Sequence, residues 1–130
     1  MPRVLLIEPD TLLAATYAAA LTAAGYRADC CVGAQAAITA ADTARPDVVI
    51  MELQLTGHNG LEFLHEFRSY PEWQDIPIVL LTNVPPGEFA GGRAALMRQL
   101  GIRGYLYKPQ ADLRQLLCVV RGIVAAGMPA

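Results

Sequence analysis

Four short apolar runs in this sequence each end at a polar side chain that could take part in chemistry. Glu8, Glu52, Thr82 and Lys108 stand at these four ends. Together they offer two carboxylates, a hydroxyl and an ammonium group. A polar residue after an apolar run is common, so each position alone indicates little, and the four are informative because they occur together.

The residue types disfavour two kinds of chemistry. A hydrolase that used the Thr82 hydroxyl would need a base beside it, and no histidine stands at the end of a predicted strand. A flavodoxin-like cofactor binder would need a loop rich in Ser, Thr and Gly after its first strand. Residues 8–11 instead place two carboxylates there, which would repel a phosphate. We therefore expect neither enzyme activity nor a bound cofactor.

The elements that carry the four side chains alternate between strands and helices. Apolar runs predict strands at residues 4–7, 26–32, 48–53, 76–82 and 104–108. Helical periodicity predicts a helix from a cap at Asp10 or Thr11 to Gly25, and further helices at 34–44, 61–70, 88–100 and 111–126. This alternation predicts the α/β class, with a single doubly wound five-stranded parallel sheet and helices on both faces. In such a sheet the site lies beyond the carboxyl ends of the strands.

Length and composition bound the class of protein. The chain has 130 residues, which fits one domain over 1–130. Its composition is 54% hydrophobic and 17% charged, which excludes intrinsic disorder. The strand-like apolar runs fall far below the roughly 20 residues that span a bilayer, and the first is too short for a signal peptide. We expect a cytoplasmic protein.

The sequence resembles the receiver domain of bacterial two-component response regulators, from about residue 3 to residue 126. Four segments carry the resemblance, in this order and at the predicted strand ends: 4–10, 47–64, 76–83 and 104–109. In such receivers an Asp that ends the third strand accepts a phosphoryl group from a histidine kinase, and an acidic pair after the first strand helps to hold Mg²⁺. The resemblance implies a flavodoxin-like fold of the receiver type.

Residue by residue, the resemblance assigns roles to several positions. Glu8 matches the first acid of the pair, with Asp10 as a further remnant of the acidic pocket. The switch residues, which would respond to the phosphoryl group, are Thr82 with its hydroxyl, Tyr105 with its aromatic ring, Lys108 with its ammonium group, and Pro109. Pro109 stands where the family commonly has a cis proline, so a cis bond is expected there.

Two positions depart from the family pattern. Glu52 stands where the phosphoacceptor Asp should be, and Pro9 replaces the second metal-binding acid. We therefore expect that ordinary phosphorylation is lost and that Mg²⁺ binds weakly, at Glu8 and Glu52, or not at all. Glu52 is then either a built-in partial mimic of the phosphorylated state or part of a receiver held in one inactive shape. The alternative is a weakly phosphorylatable, Mg²⁺-dependent receiver, with Asp10 or a water as the missing ligand.

The last third of the chain is basic, with 6 basic and 2 acidic side chains in residues 88–130. The resemblance places the partner surface of receivers on the fourth helix, fifth strand and fifth helix. Five arginines fall there: Arg93, Arg98, Arg103, Arg114 and Arg121. These arginines form either a solvated face or a docking surface for an acidic protein. The partner on such a surface could also be a second copy of the chain, which would give a homodimer. No membrane contact and no direct binding of nucleic acid is expected.

Overall fold

The structure is a computed structural model that describes residues 1–89 and 93–127, with all side chains in those ranges except His58, Phe89, Arg93 and Leu96. Its sheet contains β1 (Arg3–Ile7), β2 (Arg27–Cys31), β3 (Val48–Met51), β4 (Ile78–Thr82) and β5 (Ile102–Tyr107). The helices are α1 (Thr11–Ala23), α2 (Ala34–Thr43), α3 (Gly60–Ser69), α4 (Arg93–Leu100) and α5 (Leu113–Gly127). None of these described helices is long and apolar enough to cross a membrane.

The five strands form one parallel sheet in the order β2-β1-β3-β4-β5. Leu5 of β1 lies opposite Asp29 on one side and Val49 on the other, and Val49 in turn lies opposite Ile78 of β4. The strand order reverses direction at β1, which is the mark of a doubly wound sheet. The predicted α/β architecture is confirmed.

The central strands are apolar on both faces because helices cover both. Leu5 and Ile7 belong to a core that also contains residues of α2 and α3. Val4 and Leu6 belong to a second core, built with α1 and α5. Alternate residues of a strand point to opposite faces, so a strand buried on both sides must be an unbroken aliphatic run.

Arg68, on α3, joins that helix to the end of α4. Its guanidinium donates hydrogen bonds to the carbonyl oxygens of Leu100 at 2.7 Å, Trp73 at 2.7 Å and Ile76 at 2.6 Å. The turn after α4 contains Gly101 with φ of 69°, and a β-carbon there would lie 2.5 Å from a guanidinium nitrogen. Glycine is therefore favoured by the backbone conformation, and a β-carbon would displace the Arg68 guanidinium from these hydrogen bonds.

The region around α4 differs from the prediction. The helix predicted over 88–100 begins at Arg93, and a 3-10 turn at Pro86–Phe89 precedes it. Gly91 and Gly92, which fall within the helix predicted over 88–100, lie outside the described residues. Pro85 precedes this turn and Pro86 opens it, which explains its position, because proline suits the first residues of a helical turn but not its interior.

Two further boundaries also differ. The strand predicted over 104–108 is Ile102–Tyr107, so Lys108 opens the turn after β5. The strand predicted over 48–53 ends at Met51, and a small hairpin follows in which Gln54–Leu55 pairs with His58–Asn59. Gly57 adopts a φ of 73° in the tight turn of this hairpin, a conformation that favours glycine.

Candidate functional site

Four polar side chains meet at the carboxyl ends of the strands, as the sequence predicts. Glu8 follows β1, and Glu52 follows β3, which is the neighbour of β1 in the sheet. Thr82 ends β4 on the other side of β3, and Lys108 comes directly after β5. Because all five strands are parallel, their carboxyl ends share one edge, and the four residues converge there.

The ammonium group of Lys108 lies between the two carboxylates. Its Nζ is 2.6 Å from Glu8 Oε1 and 2.8 Å from Glu52 Oε1. Both glutamates are only 3% exposed, and the Lys108 side chain is 9% exposed. Charges this deeply buried require partners, because leaving water is costly for an ion. Two carboxylates and one ammonium give this buried cluster a net charge of one negative unit when all three are ionised.

The carboxylate of Glu52 accepts hydrogen bonds at both oxygens. Oε1 accepts from Lys108 Nζ at 2.8 Å and from the Asn83 N–H at 3.1 Å. Oε2 accepts from the Thr82 hydroxyl and from the Gln54 N–H at 3.1 Å. Two of the four donors are side chains and two are backbone amides, so the carboxylate is held by the loops after both β3 and β4.

The pKa values of the central pair move in the directions that keep both groups charged. Burial alone would raise the pKa of Glu52, but the hydrogen bonds from Lys108, Thr82 and the two amides outweigh it and lower the pKa. Burial alone would lower the pKa of Lys108, but the hydrogen bonds and negative charges of Glu52 and Glu8 outweigh it and raise the pKa. The Lys108–Glu52 pair therefore stays ionised over a wide range of pH.

A chain of hydrogen bonds leads from Glu52 to the aromatic residue of β5. The Thr82 hydroxyl, which donates to Glu52, accepts a hydrogen bond from the Val84 N–H at 3.1 Å. The Val84 carbonyl oxygen accepts from the Tyr105 hydroxyl at 2.6 Å. Tyr105 is partly buried and packs against the core. The segment after β4 is thus tied to the carboxylate on one side and to Tyr105 on the other.

The Asp10 carboxylate caps a helix and forms no ion pair with Lys108 among the described residues. This carboxylate accepts hydrogen bonds from the N–H groups of Leu12 at 3.0 Å and Leu13 at 3.1 Å, which makes Asp10 the N-cap of α1. The backbone N–H of Asp10 donates to Glu8 Oε2 at 3.1 Å. The expected cap is confirmed, and of the two residues assigned to the acidic pocket the structure brings only Glu8 to Lys108.

Pro109 follows Lys108 in the turn after β5. Within the described residues every peptide bond is trans, so the expectation of a cis bond before Pro109 is wrong. Residues Lys108–Gln110 form a 3-10 turn, closed by a hydrogen bond from the Ala111 N–H to the Lys108 carbonyl oxygen at 3.3 Å. The fixed φ of proline suits this turn, and the trans form is the one that an X-Pro bond ordinarily prefers, by about 0.5–1 kcal/mol.

The arginine face is accessible. We use this name for the exposed arginines of α4, β5 and α5: Arg98, Arg103, Arg114 and Arg121. The side chain of Arg93, which the sequence assigns to the same surface, lies outside the described residues. Asp112 is also exposed at the start of α5, so the face has an acidic neighbour.

Some groups around the cluster were not singled out from the sequence. The amides of Gln54 and Asn83 and the carbonyl of Val84 act through the backbone, which a sequence pattern does not reveal. Tyr17 of α1 also lies in the field of the cluster. Burial raises the pKa of its hydroxyl, Lys108 opposes the increase, and Glu8 and Glu52 add to it. The sequence places Tyr17 only within the first predicted helix.

Comparison with curated proteins gives relatives among bacterial regulators. TcrX of Mycobacterium tuberculosis is 35% identical over 118 residues, which cover 86% of this chain and 50% of TcrX. The KDP operon transcriptional regulatory protein KdpE of Escherichia coli is 30% identical over 123 residues, 90% of this chain and 52% of KdpE. The chain therefore spans about half the length of these relatives.

Comparison with solved structures gives the same fold. The chemotaxis response regulator CheY4 of Vibrio cholerae has a TM-score of 0.82 at 24% identity, and the alignment covers 95% of this chain and 98% of CheY4. The receiver domain of HemR from Leptospira biflexa has a TM-score of 0.83 at 22% identity, with 100% and 99% covered. The family model of the response regulator receiver domain matches residues 4–121. Motifs, strand order and these similarities agree, and the chain belongs to the response regulator receiver domain family.

Proposed function

We propose that this receiver domain does not accept a phosphoryl group and acts as a protein-interaction module in two-component or phosphorelay signalling. In this proposal the domain is cytoplasmic, is not an enzyme and uses no cofactor. Glu52, in place of the phosphoacceptor Asp, carries the proposal. Its two oxygens already accept hydrogen bonds from Lys108 and Thr82, the residues that contact the phosphoryl group in receivers.

The position of the carboxylate argues against its use as a nucleophile. Phosphoryl transfer depends on placing the attacking oxygen, and an error of about 1 Å costs about 100-fold in rate. Glu52 is one methylene longer than Asp and is fixed by the backbone amides of Gln54 and Asn83. An incoming phosphodonor would also have to displace the hydrogen bonds from Lys108 and Thr82.

The residues present do not fit the Mg²⁺ ion that receivers use. Mg²⁺ requires near-octahedral oxygen ligands, and Pro9 supplies no side-chain oxygen. One oxygen of Glu8 and one of Glu52 lie against the Lys108 ammonium. The other oxygen of Glu8 accepts the Asp10 N–H, and the Asp10 carboxylate caps α1. In our proposal the domain therefore works without a metal ion.

Glu52 acts in this proposal as a partial mimic of the phosphorylated state. The contacts with Thr82 and Lys108 and the hydrogen bond from Tyr105 to Val84 support this role over that of a receiver held in an inactive shape. A carboxylate carries less charge than a phosphoryl group and has fewer acceptor oxygens. Reversing a two-state equilibrium from 1:99 to 99:1 takes about 5.5 kcal/mol of differential interaction. The contacts of one carboxylate supply less than this, so the mimicry is incomplete.

Phosphorylation chemistry tests the proposal. Wild type, Glu52→Asp and the double variant Pro9→Asp with Glu52→Asp are incubated with a small acyl phosphate and Mg²⁺, and intact mass is measured over time. We expect no added phosphoryl group on wild type and a gain on the double variant. Glu62→Asp, the same chemical change at an exposed glutamate, is the matched control. Wild type gaining phosphate as fast as the double variant would establish the weakly phosphorylatable alternative instead.

The proposed partner is an acidic protein that docks on the arginine face. Exposed arginines on adjoining elements attract an acidic protein surface, and the affinity of such binding falls as the salt concentration rises. A photo-crosslinking group at residue 103 would identify the partner by mass spectrometry. We expect an acidic protein or a second copy of the chain, and crosslinks that are lost at about 0.5 M salt.

A charge-reversal variant tests the same surface. Arg114→Glu should lose those crosslinks, whereas Arg27→Glu, at an exposed arginine on β2, should keep them. Equal crosslinking of both variants, or capture of nucleic acid, would contradict the assignment of the arginine face.

A further inference from the structure

A groove lies between α2 and α3, on the face of the sheet that these helices cover. We call it the α2–α3 groove, and its lining residues are Ala34, Gln35, Ile38, Glu62, Phe63 and Glu66. Its volume is about 260 Å³, which is below the roughly 300–1,000 Å³ of pockets that bind small molecules. The groove therefore suits side chains of another protein better than a small ligand.

The groove combines an apolar floor with two carboxylates that have no cation beside them. Ile38 and Phe63 form part of the core beneath it. Glu62 and Glu66, about one helical turn apart on α3, are exposed and form no ion pair among the described residues. The nearest polar side-chain contact of Glu66 is the Tyr70 hydroxyl, at 3.5 Å. Such a groove suits an arginine, because the stem of arginine packs on apolar surface while its planar guanidinium binds carboxylates.

The arginine face carries the complementary charge. Arg114 and Arg121 are exposed on α5, and their spacing of seven residues puts them on nearly the same side of the helix. Cys118, also exposed, stands between them in the same row. Within the part of the chain that the structure describes, none of the arginines of this face forms an ion pair. The row therefore offers two unpaired guanidinium groups separated by a small side chain.

The two surfaces lie towards opposite edges of the sheet. The helix α2 packs against β1 and β2, whereas α5 packs against β3 and β5. The strands β2 and β5 are the two edges, and four strand spacings of about 4.8 Å place them about 19 Å apart. Residues 1–87 contain 4 basic and 10 acidic side chains, and residues 88–130 contain 6 and 2. Surfaces of opposite charge that are this far apart can pair only between separate molecules.

We infer that the chain associates head to tail with a second copy of itself, with the arginine face of one copy docked in the α2–α3 groove of the next. The inference rests on the proposed function, because it names the partner that the arginine face binds. Two different surfaces meet, so each added copy presents a new groove or a new arginine face, and the assembly grows into an open chain or closes into a ring. A symmetric dimer through the arginine face would instead bring like charges together, which is unfavourable.

Neutral variants of each surface test the inference by sedimentation velocity at increasing protein concentration. The groove variant is Glu62→Gln with Glu66→Gln, and the face variant is Arg114→Gln with Arg121→Gln. We expect wild type to form dimers and larger species below about 1 mM, and each variant to associate at least about tenfold more weakly. A wild-type chain that stays monomeric to that concentration would overturn the inference.

Mixing the two variants separates a head-to-tail contact from a symmetric one. The groove variant keeps its arginine face and the face variant keeps its groove, so an equimolar mixture should form a dimer and nothing larger. The matched control, Glu72→Gln with Arg27→Gln, neutralises exposed charges outside both surfaces and should associate as wild type does. A mixture that stays monomeric, or a control that dissociates equally, would overturn the inference.

A disulfide locates the contact. Cys30→Ser removes the other exposed cysteine and leaves Cys118 on the arginine face. In this background Gln35→Cys, inside the groove, should form intermolecular disulfides with Cys118 when oxidised by copper phenanthroline in air. A ladder of oligomers on a non-reducing gel is the expected result. Gln74→Cys, the same change at an exposed residue outside the groove, should give none. A covalent dimer of the background itself would show that two Cys118 residues meet in a symmetric contact and would overturn the inference.

The two proposals fail separately. A phosphoryl group on the wild-type chain would refute the proposed function and leave the ladder unaffected. Capture of a different acidic protein from residue 103, with no ladder from Gln35→Cys, would keep the arginine face as a docking surface and refute the head-to-tail contact.

Discussion

The ammonium nitrogen of Lys108 lies 2.8 Å from Oε1 of Glu52, and both side chains are almost fully buried. The two residues are 56 positions apart in the chain, so this contact ties the end of β3 to the turn after β5 across β4. Removing one partner of a buried ion pair leaves the other charge uncompensated, which typically costs about 3–5 kcal/mol. The buried cluster that forms the candidate functional site therefore also stabilises the fold of the domain.

The stability of the domain should depend on pH through Glu52. Its pKa in the folded state is below the ordinary value of 4.5, so ionised Glu52 stabilises the fold above pH 4.5. This contribution is lost as the pH falls through the lowered folded-state pKa. We expect the free energy of unfolding, measured with urea, to decrease below about pH 4.5.

The variant Glu52→Gln isolates that dependence. It should be less stable than wild type near neutral pH and should lose less stability on acidification, because it has no proton to take up. Glu62→Gln, at an exposed residue, should keep the wild-type slope. Parallel pH profiles for wild type and Glu52→Gln would show that the Glu52 pKa is not lowered by folding.

Thr82→Val should destabilise the domain by about 1–3 kcal/mol, because it removes a donor to a buried carboxylate and an acceptor for the Val84 N–H. The two side chains are nearly equal in shape, so the change reports hydrogen bonding rather than packing. Chemical denaturation measures the difference. Thr39→Val, on the exposed face of α2, is the control and should change stability far less. Equal effects of the two substitutions would show that the hydrogen bonds of the Thr82 hydroxyl do not stabilise the domain.

Tyr105→Phe should loosen the segment after β4, because it removes the hydrogen bond to the Val84 carbonyl oxygen. We expect a loss of about 0.5–1.5 kcal/mol of stability and faster amide hydrogen exchange at residues 83–89. Tyr107→Phe, two positions along β5, is the matched control. Unchanged exchange in the Tyr105 variant would mean that its hydroxyl does not hold this segment.

Arg68→Lys should destabilise the domain by about 3 kcal/mol or more, although it keeps the positive charge. A lysine ammonium cannot reach the three carbonyl oxygens of Leu100, Trp73 and Ile76 that the planar guanidinium joins. The thermal unfolding midpoint measures the loss. Arg98→Lys, at an exposed arginine of α4, should leave the midpoint almost unchanged. A small effect at residue 68 would show that charge alone suffices there.

Much of the scaffold is readable from the sequence because its signals are local. Uninterrupted aliphatic runs such as 4–7 and 78–81 predict strands that are covered on both faces, and the structure places both inside the sheet. The expected cap at Asp10 is confirmed for the same reason, since capping involves residues only two or three positions away. The predicted start of α4, at residue 88, is too early, because prolines and glycines interrupt the helical pattern there.

The gathering of Glu8, Glu52, Thr82 and Lys108 at one edge follows from the order of residues in the chain, because parallel strands end on the same side of their sheet. The pairing of these side chains depends instead on the three-dimensional arrangement. Lys108 bridges both glutamates, backbone amides bind Glu52, and the bond before Pro109 is trans. These outcomes depend on the relative positions of loops that are far apart along the chain, and hydrogen bonds and ion pairs form only over distances of about 3 Å.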